Sequence, residues 1–209
     1  MASLLILGAG GHGKVVAEAA MLTRQWDRIS FLDNDNTLNN VVGVPVIGVF
    51  DSYLEHKKNY SHAFVALGNN KNRLMWLAKL EKVGFEIPII IHPNSILSKF
   101  CQVDYGTVVL AGVVVNANAN IGKGCILNTS STIDHDCLIG KGVHISPGVN
   151  VSGTVTINDC TWLGVGAKIS NNIIIGSNVV VAAGAVVISD IPDSVMIAGV
   201  PAQIKKRWS

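Results

Sequence analysis

The chain has 209 residues, 49% of them hydrophobic and only 14% charged, with a formal net charge of +2. That length and apolar content suffice for one large or two modest cores without disulfides. The weak charge excludes a basic field of the kind that holds nucleic acid or an anionic membrane.

In chain order, the opening MASLLILGAGGHGKVV lacks a basic flank and soon meets glycines, unlike a secretory signal. SLLIL predicts a strand, GKVVAEAAML a helix, ISFLD a strand, HAFVALG a strand, and NKNRLMWLAKLEKVG a helix ending at Gly84. This alternation over residues 1–88 predicts a small Rossmann-like α/β unit on a parallel sheet. Between its first strand and helix, Gly8, Gly10 and Gly13 form GxGxxG, a turn whose amides suit a diphosphate at a helix N-terminus, with Asp33 near a ribose or sugar hydroxyl. His12 lies in that loop, within reach of a phosphate or sugar. Gly68 and Asn69 follow the last strand of the unit and form a second wall of the same pocket. About 88 residues are too few for a full dinucleotide domain, so a nucleotide-sugar fits better than NAD. The competing reading is that the glycines only let strand and helix pack closely.

From Ile91 the period becomes six. Every sixth residue from Ile91 to Val187 is Ile, Leu or Val, seventeen times in succession, a run expected by chance about once in 10^8 trials. The fourth residue after each is mostly small or slender, as in Cys101, Thr107, Ala119, Cys125, Ser131 and Cys137. One aliphatic and one small inward side chain per six residues, followed by a turn, builds a coil of three short strands, and residues 89–209 form this second, all-β unit. Cys101, Cys125 and Cys137 occupy the small inward slot as compact apolar groups. With Cys160 they show no metal-ligand spacing and read as free thiols of a cytoplasmic protein. In the same phase His135 and Asp136 fall at a corner, while His144 faces outward from a strand. Nine residues is half of an eighteen-residue coil, so the two histidines lie on different sides of one prism and meet only across an interface between neighbouring prisms, as in a cyclic trimer. After Val187 the period stops, Pro192 and Pro201 end the strands, and the basic tail is expected to form a short helix within a C-terminal cap.

The hexads resemble the left-handed parallel β-helix of the hexapeptide acyltransferases, and the hand comes from that resemblance. GAGGHG, FLDN, ALGNN, ILNTSSTIDHDCLIG, HISPGVNVSG and GVPA resemble the bacterial nucleotide-sugar acetyltransferases of the sialic acid O-acetyltransferase family. The similarity is greatest to the UDP-4-amino-sugar N-acetyltransferases that make bacillosamine-type sugars. The resemblance implies a homotrimer that takes acetyl-CoA as co-substrate and a nucleotide-linked amino sugar as acceptor, with no metal. It implies that His135 is the general base supported by Asp136, that His144 contacts acetyl-CoA, and that Gly10, Gly11, His12, Asp33, Asn34 and Gly68 hold the nucleotide-sugar. The bacillosamine-type motif has Glu after the base where this chain has the shorter Asp136. Along a groove between prisms, the pantetheine arm is expected against Gly153, Gly164, Val165, Gly166 and Ala183, where small residues allow close approach.

An imidazole titrating near neutrality suits removal of a proton from an amine attacking a thioester, and a neighbouring carboxylate favours the imidazolium that forms. Other acceptors consistent with these residues are a sialic acid or another sugar hydroxyl, or a GDP- or dTDP-linked amino sugar. A non-catalytic nucleotide-binding trimer is the alternative outside enzymology. A zinc-hydrolase β-helix needs three ligand histidines, whereas the repeat from Val103 to Val187 has His135 and His144 alone.

Overall fold

A computed structural model describes residues 2–208. The N-terminal unit is a three-stranded parallel sheet of order β2–β1–β5, with β1 at Ser3–Leu7, β2 at Arg28–Leu32 and β5 at His62–Val65. The central strand β1 is buried along its whole length, which is why its sequence is an unbroken apolar run. Helix α1 (Gly11–Thr23) packs through Gly13, Val16, Ala17 and Ala20, and α3 (Asn70–Lys82) through Arg73, Trp76, Leu77 and Leu80, each a stripe at helical spacing. The hairpin of β3 (Asn40–Val41) and β4 (Val44–Pro45) and the single turn α2 (Tyr53–His56) are too short to show a period, and no sequence pattern predicts them.

The remainder is a left-handed parallel β-helix of about six turns, built from seventeen two-residue strands running from Ile90–Ile91 to Val186–Val187. Residues eighteen apart pair in register, as Ile133 does with Val151. The first and fifth residues of each hexad fill the interior, as the period predicts, from Val109 to Val187. The pairing register holds to the open end, but burial falls there, and Ile91 is 38% exposed because no coil precedes it.

One outward row explains how the two units join. Ile90, Val108, Ile126, His144, Trp162 and Val180 follow one another up a single face. The first three are apolar and share a core with Leu4, Ile6, Val16 and Phe31 of the N-terminal unit. Beyond that contact the row continues into a cavity. The basic tail, expected as a helix, is instead the strand Gln203–Arg207, antiparallel to Val195–Ala198. All five of its residues are exposed, so it has no apolar face to stabilise a helix, and pairing covers an otherwise open sheet edge.

Candidate active site

His135 and Asp136 form the turn between the strands Thr132–Ile133 and Leu138–Ile139, the corner opposite the face that carries the N-terminal unit. Asp136 has a left-handed backbone (φ 59). Its Oδ2 lies 2.8 Å from His135 Nδ1, so the shorter carboxylate reaches the ring directly. Asn118, one coil earlier, donates to Asp136 Oδ1 at 3.2 Å, and Asp134 Oδ1 accepts the His135 backbone N–H at 2.8 Å. The hydrogen bond to Asp136, reinforced by the charges of Asp134 and Asp136, raises the His135 pKa above its ordinary value. With Nδ1–H donated to the carboxylate, Nε2 keeps its lone pair, as a general base requires.

His144 stands in the strand His144–Ile145 on the face toward the N-terminal unit. Its ring stacks on Trp162 with centroids 5.9 Å apart and planes 16° from parallel. It faces a cavity of about 570 Å³ that Gly68, Asn70, Lys71, Cys160, Trp162 and Trp208 help to line. The outward direction is legible in the hexad phase, but the covering by α3 is not. His144 Nε2 and His12 Nε2 are both buried without a hydrogen-bond partner. Desolvation, with the Arg73 cation adding to it, lowers His12 to about 4 and His144 to about 3. Both rings are therefore neutral at physiological pH.

A stability consequence follows from these two rings. Their folded pKa values lie below the ordinary 6.5, so between about pH 6.5 and 4 the unfolded chain binds more protons than the folded one. Stability then falls with falling pH, by about 1.4 kcal/mol per pH unit for each ring. The melting temperature is expected to drop between pH 7 and pH 5. Differential scanning fluorimetry of His144→Phe should show a shallower drop than the parent protein, and an unchanged slope would refute the assignment.

Gly10, Gly11, His12, Asp33, Asn34 and Gly68 gather at the carboxyl edge of the sheet, at or just beyond the ends of β1, β2 and β5. The close-packing explanation holds for two of the loop glycines. A Cβ at Gly13 would strike the Gly8 carbonyl oxygen, and one at Gly8 would lie 2.8 Å from the Ala66 oxygen. It fails for Gly10, Gly11 and Gly68, where a Cβ would meet nothing within 4 Å. Gly10 caps α1 without a side-chain hydrogen bond, which leaves first-turn amides open. Asp33 spends Oδ2 on the Ala9 N–H at 2.6 Å and Oδ1 on the Asp35 N–H at 2.9 Å, tying the glycine loop to the end of β2. Asn34 Oδ1 accepts the Phe50 N–H at 3.0 Å.

The residues expected to face the pantetheine arm divide between two corners. Gly164, Val165, Gly166 and Ala183 lie at the corner that follows the His144 face, with Val165 56% exposed. Gly153 is elsewhere, one coil from His135 at the same corner. A Cβ at Gly164 would come within 2.6 Å of the Ala183 amide, so coil stacking accounts for that glycine.

Two residues that sequence reasoning misses shape the site. Asn118 holds Asp136, and its signal is its place eighteen residues before Asp136 in the coil. Arg73 is 1% exposed, and all five of its hydrogen bonds lie within the protein. Its signal is a cation in the buried stripe of α3. Among the described residues no three His, Cys, Asp or Glu side chains gather as a metal site, and no helix is long and apolar enough to cross a membrane.

Residues 3–80 match the PglD N-terminal domain family. Over its length the chain is similar to the perosamine N-acetyltransferase of Caulobacter crescentus, solved with CoA and GDP-perosamine in a variant with one histidine changed to asparagine. That match has 36% identity, covers 99% of this chain and 98% of that one, and has a TM-score of 0.95. It is similar also to the acetyltransferase domain of PglB from Neisseria gonorrhoeae FA1090, solved with acetyl coenzyme A, at 40% identity over 97% and 98% of the two chains with a TM-score of 0.94. WeeI from Acinetobacter baumannii AYE matches at 28% identity over 98% and 100% with a TM-score of 0.87. Identity of this order across almost the whole of both chains, on the same two-part fold, makes the protein an acyltransferase: it belongs to the family of β-helix sugar N-acetyltransferases with a PglD-type N-terminal domain.

Proposed function

We propose that the protein transfers the acetyl group of acetyl-CoA to the 4-amino group of a UDP-linked amino-dideoxy sugar, with His135 as general base. The observation that carries the catalytic part is the 2.8 Å contact between His135 Nδ1 and Asp136, which leaves Nε2 as a proton acceptor at an exposed corner. The amine nitrogen attacks the thioester carbon and gives its proton to Nε2. The C–S bond then breaks, and the imidazolium returns the proton to the departing CoA sulfur. Cys125 and Cys137 are buried in the β-helix core, and burial raises both thiol pKa values, so direct attack needs no covalent help from them.

Residues 1–88 hold the nucleotide-sugar through the open loop at Gly10 and Gly11, through His12, Asp33 and Asn34, and through Gly68. Residues 89–209 bind acetyl-CoA through His144, Gly164, Val165, Gly166 and Ala183, on one face and the corner that follows it, while Gly153 lies apart from them beside His135. His135 and His144 stand on different sides of one prism, so the reaction uses a corner of one subunit and a face of the next within a homotrimer. Leu138 and Ile174, 53% and 52% exposed on the face beside the His135 corner, supply apolar surface for that contact. Four free thiols suit the reducing cytoplasm.

A second reading, a GDP-linked amino sugar, is favoured by the GDP-perosamine bound to the Caulobacter relative. A thiol-release assay with acetyl-CoA against UDP-, GDP- and dTDP-linked 4-amino sugars and free sialic acid separates the readings. The UDP-linked amine is expected to give the highest kcat/KM. A GDP preference would move the assignment to the second reading, and turnover of sialic acid alone would refute both.

A further inference from the structure

Gly153 lies one coil beyond His135, at the same position in its hexad, and the Thr154 N–H donates to the His135 carbonyl at 2.9 Å, fixing the two coils against each other. Gly153 is buried, yet its backbone is outside the left-handed region, so conformation gives no reason for a glycine there. The reason lies above it. A Cβ built on Gly153 would be 2.6 Å from both Cε1 and Nε2 of His135 and 3.2 Å from Cδ2. The ring occupies the space that any other residue would fill. Stacked coils are about 4.8 Å apart, so a side chain leaning along the coil axis covers the residue one coil on. The equivalent positions in the flanking coils are Ala117 and Asn171, and glycine stands beneath the imidazole.

We propose that Gly153 is a positioning residue for His135: the absent side chain is the seat of the imidazole, and that seat sets the height at which Nδ1 meets Asp136. This rests on the reading of His135 as the base. A methyl group at 153 leaves the coil intact, because the atoms it displaces belong to the exposed end of the His135 side chain, 57% exposed, rather than to backbone. The cost falls on the ring. Pushed outward, it loses its contact with Asp136 and its aim at the reacting nitrogen, and a shift of about 1 Å is worth about 10²-fold in rate.

The test compares Gly153→Ala, His135→Ala and the double variant with the parent protein. Kinetic constants come from thiol release, the His135 imidazole titration from NMR, and melting temperatures from calorimetry. Gly153→Ala is expected to lower kcat about 10²-fold with the KM for acetyl-CoA little changed. The His135 midpoint should move down toward the ordinary imidazole value as the carboxylate contact is lost. In the His135→Ala background the alanine meets no ring, so the same substitution should change neither rate nor melting temperature. A raised KM for acetyl-CoA with unchanged kcat and unchanged titration would overturn the proposal and give Gly153 to the co-substrate. Parent-like behaviour throughout would overturn it too. If His135→Ala itself keeps full activity, it is the base assignment that fails, while the NMR midpoint of Gly153→Ala still reports on the seat.

Discussion

Replacing His135 with alanine is expected to lower kcat for acetyl transfer by about 10²- to 10⁴-fold, the usual contribution of a positioned general base. The ring sits at an exposed corner and supports no core, so the melting temperature should stay at the parent value. The pH dependence carries more information than the loss alone. Only the neutral imidazole accepts a proton, so kcat should rise with pH through the His135 midpoint. The hydrogen bond to Asp136 places that midpoint above the ordinary histidine value. In Asp136→Asn the side chain keeps its length and loses its charge, so the midpoint should fall while the ring stays near its place. Asp136 gains in turn: the hydrogen bonds from His135 and Asn118 hold its carboxyl below the usual range, so it remains an anion throughout the working pH. Thiol release at saturating substrates between pH 5.5 and 9 would decide the matter. Full activity in His135→Ala, or an acid limb that ignores Asp136→Asn, would sink the assignment.

Much of this corner is legible in the amino-acid sequence because a strict period of six turns sequence position into direction. Once Ile133 and Ile139 point inward, His135 and Asp136 must lie in the turn and His144 must point out. The hand of the coil is not in the period, since both hands bury the same two positions per hexad. The reach of Asp136 is not legible either, because it depends on the left-handed backbone at that residue. The N-terminal unit shows its sheet and its two long helices through runs and stripes. What packs against what stays hidden: the covering of His144 depends on α3 meeting a face that the repeat alone would leave open. The tail illustrates the opposite error, in which lysines and arginine suggest a solvated helix and an unpaired sheet edge makes a strand of them. Asp33 has a role that residue type alone does not reveal, since each of its oxygens accepts a backbone N–H of the pocket wall and so orders the glycine loop.

Substitution of Arg73 by methionine is expected to destabilise the protein by about 3–5 kcal/mol. Burial lowers this guanidinium to about 10, so it remains a cation at neutral pH, and no carboxylate among the described residues pairs with it. Its partners are carbonyl oxygens: Gly124 at 2.7 Å, Gly142 at 2.9 Å, Leu67 at 2.8 Å and Gly68 at 3.2 Å, with Asn70 Oδ1 at 2.9 Å. Two effects oppose each other on removal. The desolvation penalty of the charge is relieved, which is why exchanging a buried ion pair for apolar residues is often neutral. Here the second half of such an exchange is impossible, because backbone carbonyls cannot be replaced, and each buried acceptor left unpaired costs about 1–3 kcal/mol. The unpaired acceptors outnumber the single charge, so the loss wins. For a chain of this size that is a fall of about 6–20 °C in melting temperature. Arg73→Lys should recover part of it, since an ammonium keeps the charge but lacks the planar fork that reaches Gly124 and Gly142, one coil apart at the same corner of the β-helix. The same methionine variant tests the electrostatics of the cavity. Without the cation, His12 and His144 keep their burial but lose a repulsive neighbour, so both should protonate at higher pH and the acid-sensitive window should shrink at its lower end. Arg73 also pins Gly68 and the start of α3, the wall opposite His144, so the KM values should rise with kcat less affected. A methionine variant that melts within about 2 °C of the parent would show that the four carbonyls find other donors, and that the apolar row with the Asn70 hydrogen bonds to the Cys160 and Thr161 carbonyls suffices to hold the N-terminal unit on the β-helix.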